Sequence, residues 1–229
     1  MKGKRLLAVL LVCLLVISCC GCKTDAEKAA AQAQANWDQA SNEQRMSIYC
    51  ALIKEYMLLT EDLGENTPYP AMKRNVKGSM MTGGLTQEAA ITQAETYLIS
   101  EQAVLWKAGQ EGIHVTDKEV KSYIQENIIS KVVQEEDYDA VSKVCEKEGI
   151  TFEDTIWAYE DSYKMDLIAE KAGIKDYEEM EAYKLEAVEQ FKASDAYVSC
   201  QAVLDTCAQL IRDNVTDKET LKKAEIYYE

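Results

Sequence analysis

Gly112-Ile113-His114-Val115-Thr116-Asp117-Lys118-Glu119-Val120 is a helix stop followed at once by a helix start. Glycine adopts the left-handed conformation that closes a last helical turn, and the isoleucine after it can fold back onto that turn. Thr116 with Glu119 is a capping box, in which each side chain satisfies a backbone N–H of the next helix. The chain repeats this punctuation at Gly149-Ile150 before Thr151, and at Gly173-Ile174 before Asp176 with Glu179.

Between these junctions the apolar residues recur at helical spacing. Ile91, Ala94, Leu98 and Leu105 form one face after the cap Thr86, and Val120, Tyr123, Ile124, Ile128 and Val132 form the next. Phe152, Ile156, Tyr159, Tyr163 and Leu167 form a narrow stripe, then come Tyr177, Met180, Ala187 and Phe191, and then Tyr197, Cys200, Leu204, Ala208 and Ile211. A helix is expected near 137–147, and Thr216 with Glu219 opens a short last one. Val-Thr-Asp-Lys-Glu occurs at 115–119 and 215–219 with different flanks, a recurring helix-start phrase. No stretch alternates apolar and polar residues, and two prolines and ten glycines leave little room for turn-rich β structure. The expected fold is all-α, a bundle of about seven or eight helices.

Upstream, Ser41 with Gln44 caps a helix over 41–64 that carries Met46, Tyr49, Cys50, Ile53 and Met57 and ends at Gly64. Residues 65–85 hold Pro68, Pro70, Gly78, Gly83 and Gly84, which predicts an irregular linker and a domain boundary before a module over 86–229. Residues 19–40 are Ala/Gln-rich around Trp37 and read as a membrane-proximal spacer or a loosely packed helix.

The N-terminus reads as an export signal. Lys2, Lys4 and Arg5 precede an apolar run from Leu6 to Ile17, too short for the roughly 20 apolar residues a membrane span needs. Val16-Ile17-Ser18-Cys19 resembles the lipobox of bacterial lipoproteins. That resemblance implies a signal peptide over 1–18, cleavage before Cys19, a lipid on its thiol, and a protein anchored on the extracytoplasmic face of the cell membrane. Cys22, after Gly21, is the alternative lipid site. Cleavage takes the formal charge from −15 to −18, a field that repels nucleic acid and anionic head groups; it reads first as solvated helix faces, with solubility, cationic clients or wall-associated metal ions as the alternatives.

From Thr86 to Lys171 the chain resembles the helical chaperone module of SurA/PrsA-type extracytoplasmic foldases. The similarity lies in the long helix Gln87–Gln110, the junction Gly112–Val120, and Glu148-Gly149-Ile150-Thr151-Phe152-Glu153-Asp154 leading to Tyr163–Lys171. That family adds a parvulin-type prolyl isomerase domain with histidines at its active site. Here His114 is the only histidine, and everything after Gly173 reads helical. The resemblance therefore implies the binding half alone, a partner for unfolded or nascent secreted polypeptides. A docking module for a folded envelope partner is the second reading, and a divergent isomerase the third.

The search for chemistry ends without a catalytic residue. His114 reads as a packed or capping histidine, with no nucleophile or acid proposed near it. Gly78-Ser79-Met80 lacks the continuation of a nucleophile elbow, and Gly83-Gly84 lacks the lysine of a phosphate loop. One histidine and scattered cysteines supply no zinc spacing, and Glu135-Glu136-Asp137-Tyr138-Asp139 lacks the glycine turn of a calcium loop. No metal and no cofactor are expected. Cys50, Cys145, Cys200 and Cys207 lack the close, regular spacing of a disulfide framework, and Cys200 and Cys207 read as small buried hydrophobes, with long-range bridging as the alternative. Cys200 and Cys207, two helical turns apart, are too distant to bond within one helix. Thirteen tyrosines against two phenylalanines suit half-wet apolar surface. Trp106 and Trp157 lie off their stripes and either line a second packing surface or contact clients. Met80 and Met81, with Met72, are expected to give a client groove a pliable rim.

Overall fold

The computed structural model describes residues 24–64 and 67–228, and these form helices with no strand among them. In chain order they are α1 (Asp25–Gln39), α2 (Asn42–Leu63), α3 (Tyr69–Thr82), α4 (Gln87–Gln110) and α5 (Asp117–Tyr123). A π-helical segment (Ile124–Ile129) leads to the single turn α6 (Ser130–Val132). Then follow α7 (Tyr138–Glu148), α8 (Phe152–Trp157), α9 (Glu160–Ala172), α10 (Tyr177–Lys192), α11 (Asp195–Asn214) and α12 (Asp217–Glu225). The all-α class is as expected, with more and shorter segments than seven or eight. Residues 1–18, Cys19 and Cys22 lie outside the described residues, and no described helix is long and apolar enough to cross a membrane.

The punctuation works as read. Gly112, Gly149 and Gly173 all have φ between +74° and +81°. The N–H of each following isoleucine closes the turn by donating to Ala108, Cys145 and Ala169 respectively, at 2.8, 3.1 and 2.9 Å. Capping boxes open α2 at Ser41, α5 at Thr116 and α8 at Thr151, and a further one at Thr24 opens α1.

One expectation is corrected. The linker over 65–85 contains a helix, α3, at the centre of the molecule: Met72, Val76, Met80 and Met81 are all buried. Pro70 sits in its first turn, where no intrahelical N–H bond is lost, so the proline opens the helix instead of breaking it. Met72, Val76 and Met80 pack against Ile91, Ala94 and Leu98 of α4 and Leu204, Ala208 and Ile211 of α11 in the largest core cluster. Of the two readings of residues 19–40, the described part takes the helical one: α1 buries Ala30 and Ala33 and packs on α3 and α12. Small residues let those helices approach closely. The C-terminal helices thus return to α1 and α3, and the expected boundary is core.

Two further departures have local causes. A π-turn adds one residue to the helical repeat, and it brings Ile124 and Ile129 onto one buried face with Val120, Ile156 and Leu167. The stripe Phe152–Leu167 is broken between α8 and α9 at Ala158-Tyr159, where Tyr159 leaves helical geometry at φ −116°, ψ 27°. The carbonyl of Ala158 accepts instead from the Arg74 guanidinium of α3, and Tyr159 stacks on Tyr49 of α2 with ring centroids 5.9 Å apart.

Candidate functional site: an acidic cleft over a buried arginine

Arg74 is a charged side chain in a core position. Its guanidinium lies between two aromatic faces, 4.5 Å from the ring centre of Tyr56 and 4.2 Å from that of Tyr159. Such contacts stabilise a desolvated cation by about 1–2 kcal/mol each. Its Nη1 donates to the Ala158 carbonyl freed by the α8–α9 break, while its Nε is buried without a hydrogen-bond partner. Beside it on α3, Lys73 and Lys77 both pair with Glu55 of α2, Lys73 at 3.0 Å. Burial alone would raise the Glu55 carboxyl, but the two lysines outweigh it and hold it below the usual carboxylate range.

Tyr56 and Ala158 also line a cleft of about 1070 Å³, half open to solvent, where α2, the start of α3, α4, α5, α8, α9 and α11 converge. Its apolar wall includes Met57, Leu98, Val120, Trp157, Val203 and Leu204. Its charged lining is predominantly negative: Glu61, Glu101, Asp117, Asp154, Glu160 and Asp161 stand against Lys121 and Lys164. One of these acids, Asp154, is occupied in the capping box of α8, where it accepts from the Thr151 N–H at 2.7 Å. The cleft is thus lined by apolar side chains together with an excess of carboxylates.

Glu101 is the most perturbed group in this wall. It is 8% exposed, and burial pushes its pKa up to about 7. Asp161 across the cleft raises it further, while a hydrogen bond with Tyr97, one turn earlier on α4, and the charges of Arg74 and Lys184 pull it back. Tyr97 is itself pushed up to about 12 by burial and by Glu101, and its hydroxyl lies 3.3 Å from Ser162 Oγ. Glu101 is a buried carboxyl that changes charge near neutrality, at the edge of a cleft that opens onto it.

The residues singled out from the sequence are distributed unevenly. Trp157 is half-buried and lines the cleft, backed by Val120 and Ile156. Trp106 does not reach it: it tilts against Phe191 at 5.8 Å and packs in the α4–α10 core. Met80 and Met81 are 1% and 3% exposed, which removes them, and the fully buried Met72, as a pliable rim. They read as a rim only because α3 read as a loop. His114 is exposed rather than packed, and its carbonyl accepts from Lys171 Nζ at 2.6 Å. Lys171 also pairs with Glu119 at 2.6 Å and, with the Thr116 bonds, holds that carboxyl down at about 2. Among the described residues no group of three or more His, Cys, Asp or Glu side chains stands together as a metal site.

Glu101 had a readable signal. It lies three residues after Leu98 and four before Leu105, a carboxylate inside an apolar stripe. Arg74 had none, because the helix that buries it was not recognised. No protein-family model, curated protein or solved structure matches the chain.

Proposed function

We propose that the protein is a non-enzymatic polypeptide-binding factor, anchored to the membrane through Cys19 and holding unfolded exported chains in the cleft under α4. The cleft carries this reading. About 1070 Å³ is slightly above the usual 300–1,000 Å³ of small-molecule pockets, and the space is half open to solvent. Its apolar lining of Trp157, Met57, Val203 and Leu204 suits apolar side chains of an extended segment, and its carboxylates suit flanking lysines and arginines. The lipobox-like leader and the likeness of residues 86–171 to SurA/PrsA-type chaperone modules support the same conclusion.

The test uses a fluorescent, unstructured peptide alternating lysine with leucine and phenylalanine, and a glutamate counterpart. The lysine peptide is expected to bind, more tightly as pH rises through 7 where Glu101 ionises, and less tightly in salt. Trp157→Ala weakens binding at every pH. The matching activity is slower aggregation of a denatured basic client. Equal binding of both peptides, or binding indifferent to Trp157→Ala, overturns the assignment of the cleft. A single stoichiometric crosslinked partner and no effect on aggregation would favour the docking module.

A further inference from the structure

Two cysteines 95 positions apart meet in the core. Cys50 of α2 and Cys145 of α7 are both fully buried, with their sulfurs 3.4 Å apart, and both are free thiols. Ile53, Ile150 and Ala158 complete the cluster around them. Polar contacts flank the pair and fasten the same two helices: Lys54 Nζ donates to the Glu148 carbonyl at 2.9 Å, and Lys147 pairs with Glu43 at 3.5 Å. The other described cysteines lie elsewhere, Cys207 in the α3–α4–α11 core and Cys200 at its margin.

We infer that Cys50 and Cys145 are the two halves of an intramolecular disulfide that staples α2 to α7. A disulfide needs its sulfurs about 2.05 Å apart, so the contact has to shorten by roughly 1.4 Å, within reach of side-chain rotation and a slight helix shift. The oxidant is a second disulfide, small-molecule or protein-borne, of the kind available outside the cytoplasm. One cysteine thiolate attacks it and expels a thiolate, giving a mixed disulfide. The other cysteine thiolate then attacks the protein sulfur of that mixed disulfide and expels the second. Two cysteine thiols are oxidised, the oxidant leaves as two thiols, and these take up the two protons.

Burial raises both thiols, which keeps them protonated and unreactive once α7 has docked. The exchange therefore belongs to folding, before the helices close, and the finished bond is shielded from reduction. The loop it closes runs from α2 through α7 and contains more than half of the cleft's lining residues, Tyr56, Leu98, Glu101 and Val120 among them. The staple fixes the cleft's frame whatever the cleft binds.

The experiment refolds the full chain in detergent, from denaturant, with reduced and oxidised glutathione, and in parallel with dithiothreitol. Non-reducing proteolysis and mass spectrometry are expected to find a Cys50–Cys145 peptide pair lighter by two hydrogens than the separate thiol peptides. The oxidised protein is expected to melt about 10 °C above the reduced one, from the loop closed and the size of the chain. In Cys145→Ala the pair is absent and the melting temperature no longer depends on the redox couple. Free Cys50 and Cys145 after oxidative refolding, pairing of either with another cysteine, or a melting temperature indifferent to the couple overturns the inference. Should Cys145→Ala fail to fold, the peptide map of the parent protein decides alone.

Discussion

Replacing Glu101 by glutamine is expected to stabilise the protein, and to do so more at high pH than at low. The folded-state pKa of about 7 lies about 2.5 units above the ordinary 4.5. Each unit is worth about 1.36 kcal/mol, so the ionised carboxyl costs the folded state about 3 kcal/mol. The sign follows from proton binding. The folded state holds the Glu101 proton to higher pH than the unfolded chain does, so stability is full below pH 4.5 and is lost as pH rises through 7. The groups that set this balance come from every side: Asp161 on α9 opposes ionisation, while Tyr97 on α4, Arg74 on α3 and Lys184 on α10 favour it. Burial outweighs all of them. Glutamine keeps the shape and carries no charge at any pH. In urea titrations Glu101→Gln should therefore exceed the parent by about 3 kcal/mol at pH 8 and by under half of that at pH 5.5. In melting temperature the pH 8 difference is about 6–12 °C for a chain of this size. Other carboxyls that burial raises, such as Glu95 and Asp166, change parent and variant alike and cancel in the comparison. A gap that is the same at both pH values, or a less stable variant at pH 8, would show that the Glu101 charge is solvated and that the cleft edge is not as described.

Gly84, at φ +62°, meets α1 so closely that an added Cβ would lie 2.7 Å from Gln34 Cβ and 3.1 Å from the Ala30 carbonyl. Gly84→Ala is therefore expected to cost about 2 kcal/mol or more in urea. Gly109→Ala, in open space near the end of α4, should stabilise by about 0.5–1 kcal/mol, and equal effects at the two sites would refute the packing of α1. Leu98→Asp places an unpaired charge in the α3–α4–α11 core and is expected to abolish the cooperative circular-dichroism melt; a parental melt would show that Leu98 does not face that core. Cys19→Ala should move the protein from the membrane to the soluble fraction, and continued tight association would assign the anchor to Cys22 or to a retained leader.

Helix identity and helix ends were legible in the chain because they depend on neighbours three or four positions away. The Gly-Ile stops, the capping boxes at Ser41, Thr116 and Thr151, and the stripe Ile91–Leu98 on α4 all appear where the spacing places them. What failed was α3. Pro68, Pro70, Gly83 and Gly84 are breakers by composition, and only their positions at the ends of a helix reconcile them with one. With α3 unrecognised, Met80 and Met81 looked like surface and Arg74 had no context.

The cleft, the arginine sandwich and the Cys50–Cys145 contact join residues tens of positions apart, and no local spacing encodes such meetings. Tyr56 and Arg74 come from two helices and Tyr159 from the break between α8 and α9, and their union holds that break beside the cleft that Tyr56 and Ala158 line. Capping and periodicity are short-range, so the chain's own residues place most helix starts, stops and apolar faces, with α3 and the α8–α9 break as the exceptions. Which faces meet depends on long-range packing, since burying a cation such as Arg74 is tolerated where side chains distant in sequence, here Tyr56 and Tyr159, arrive to accept it.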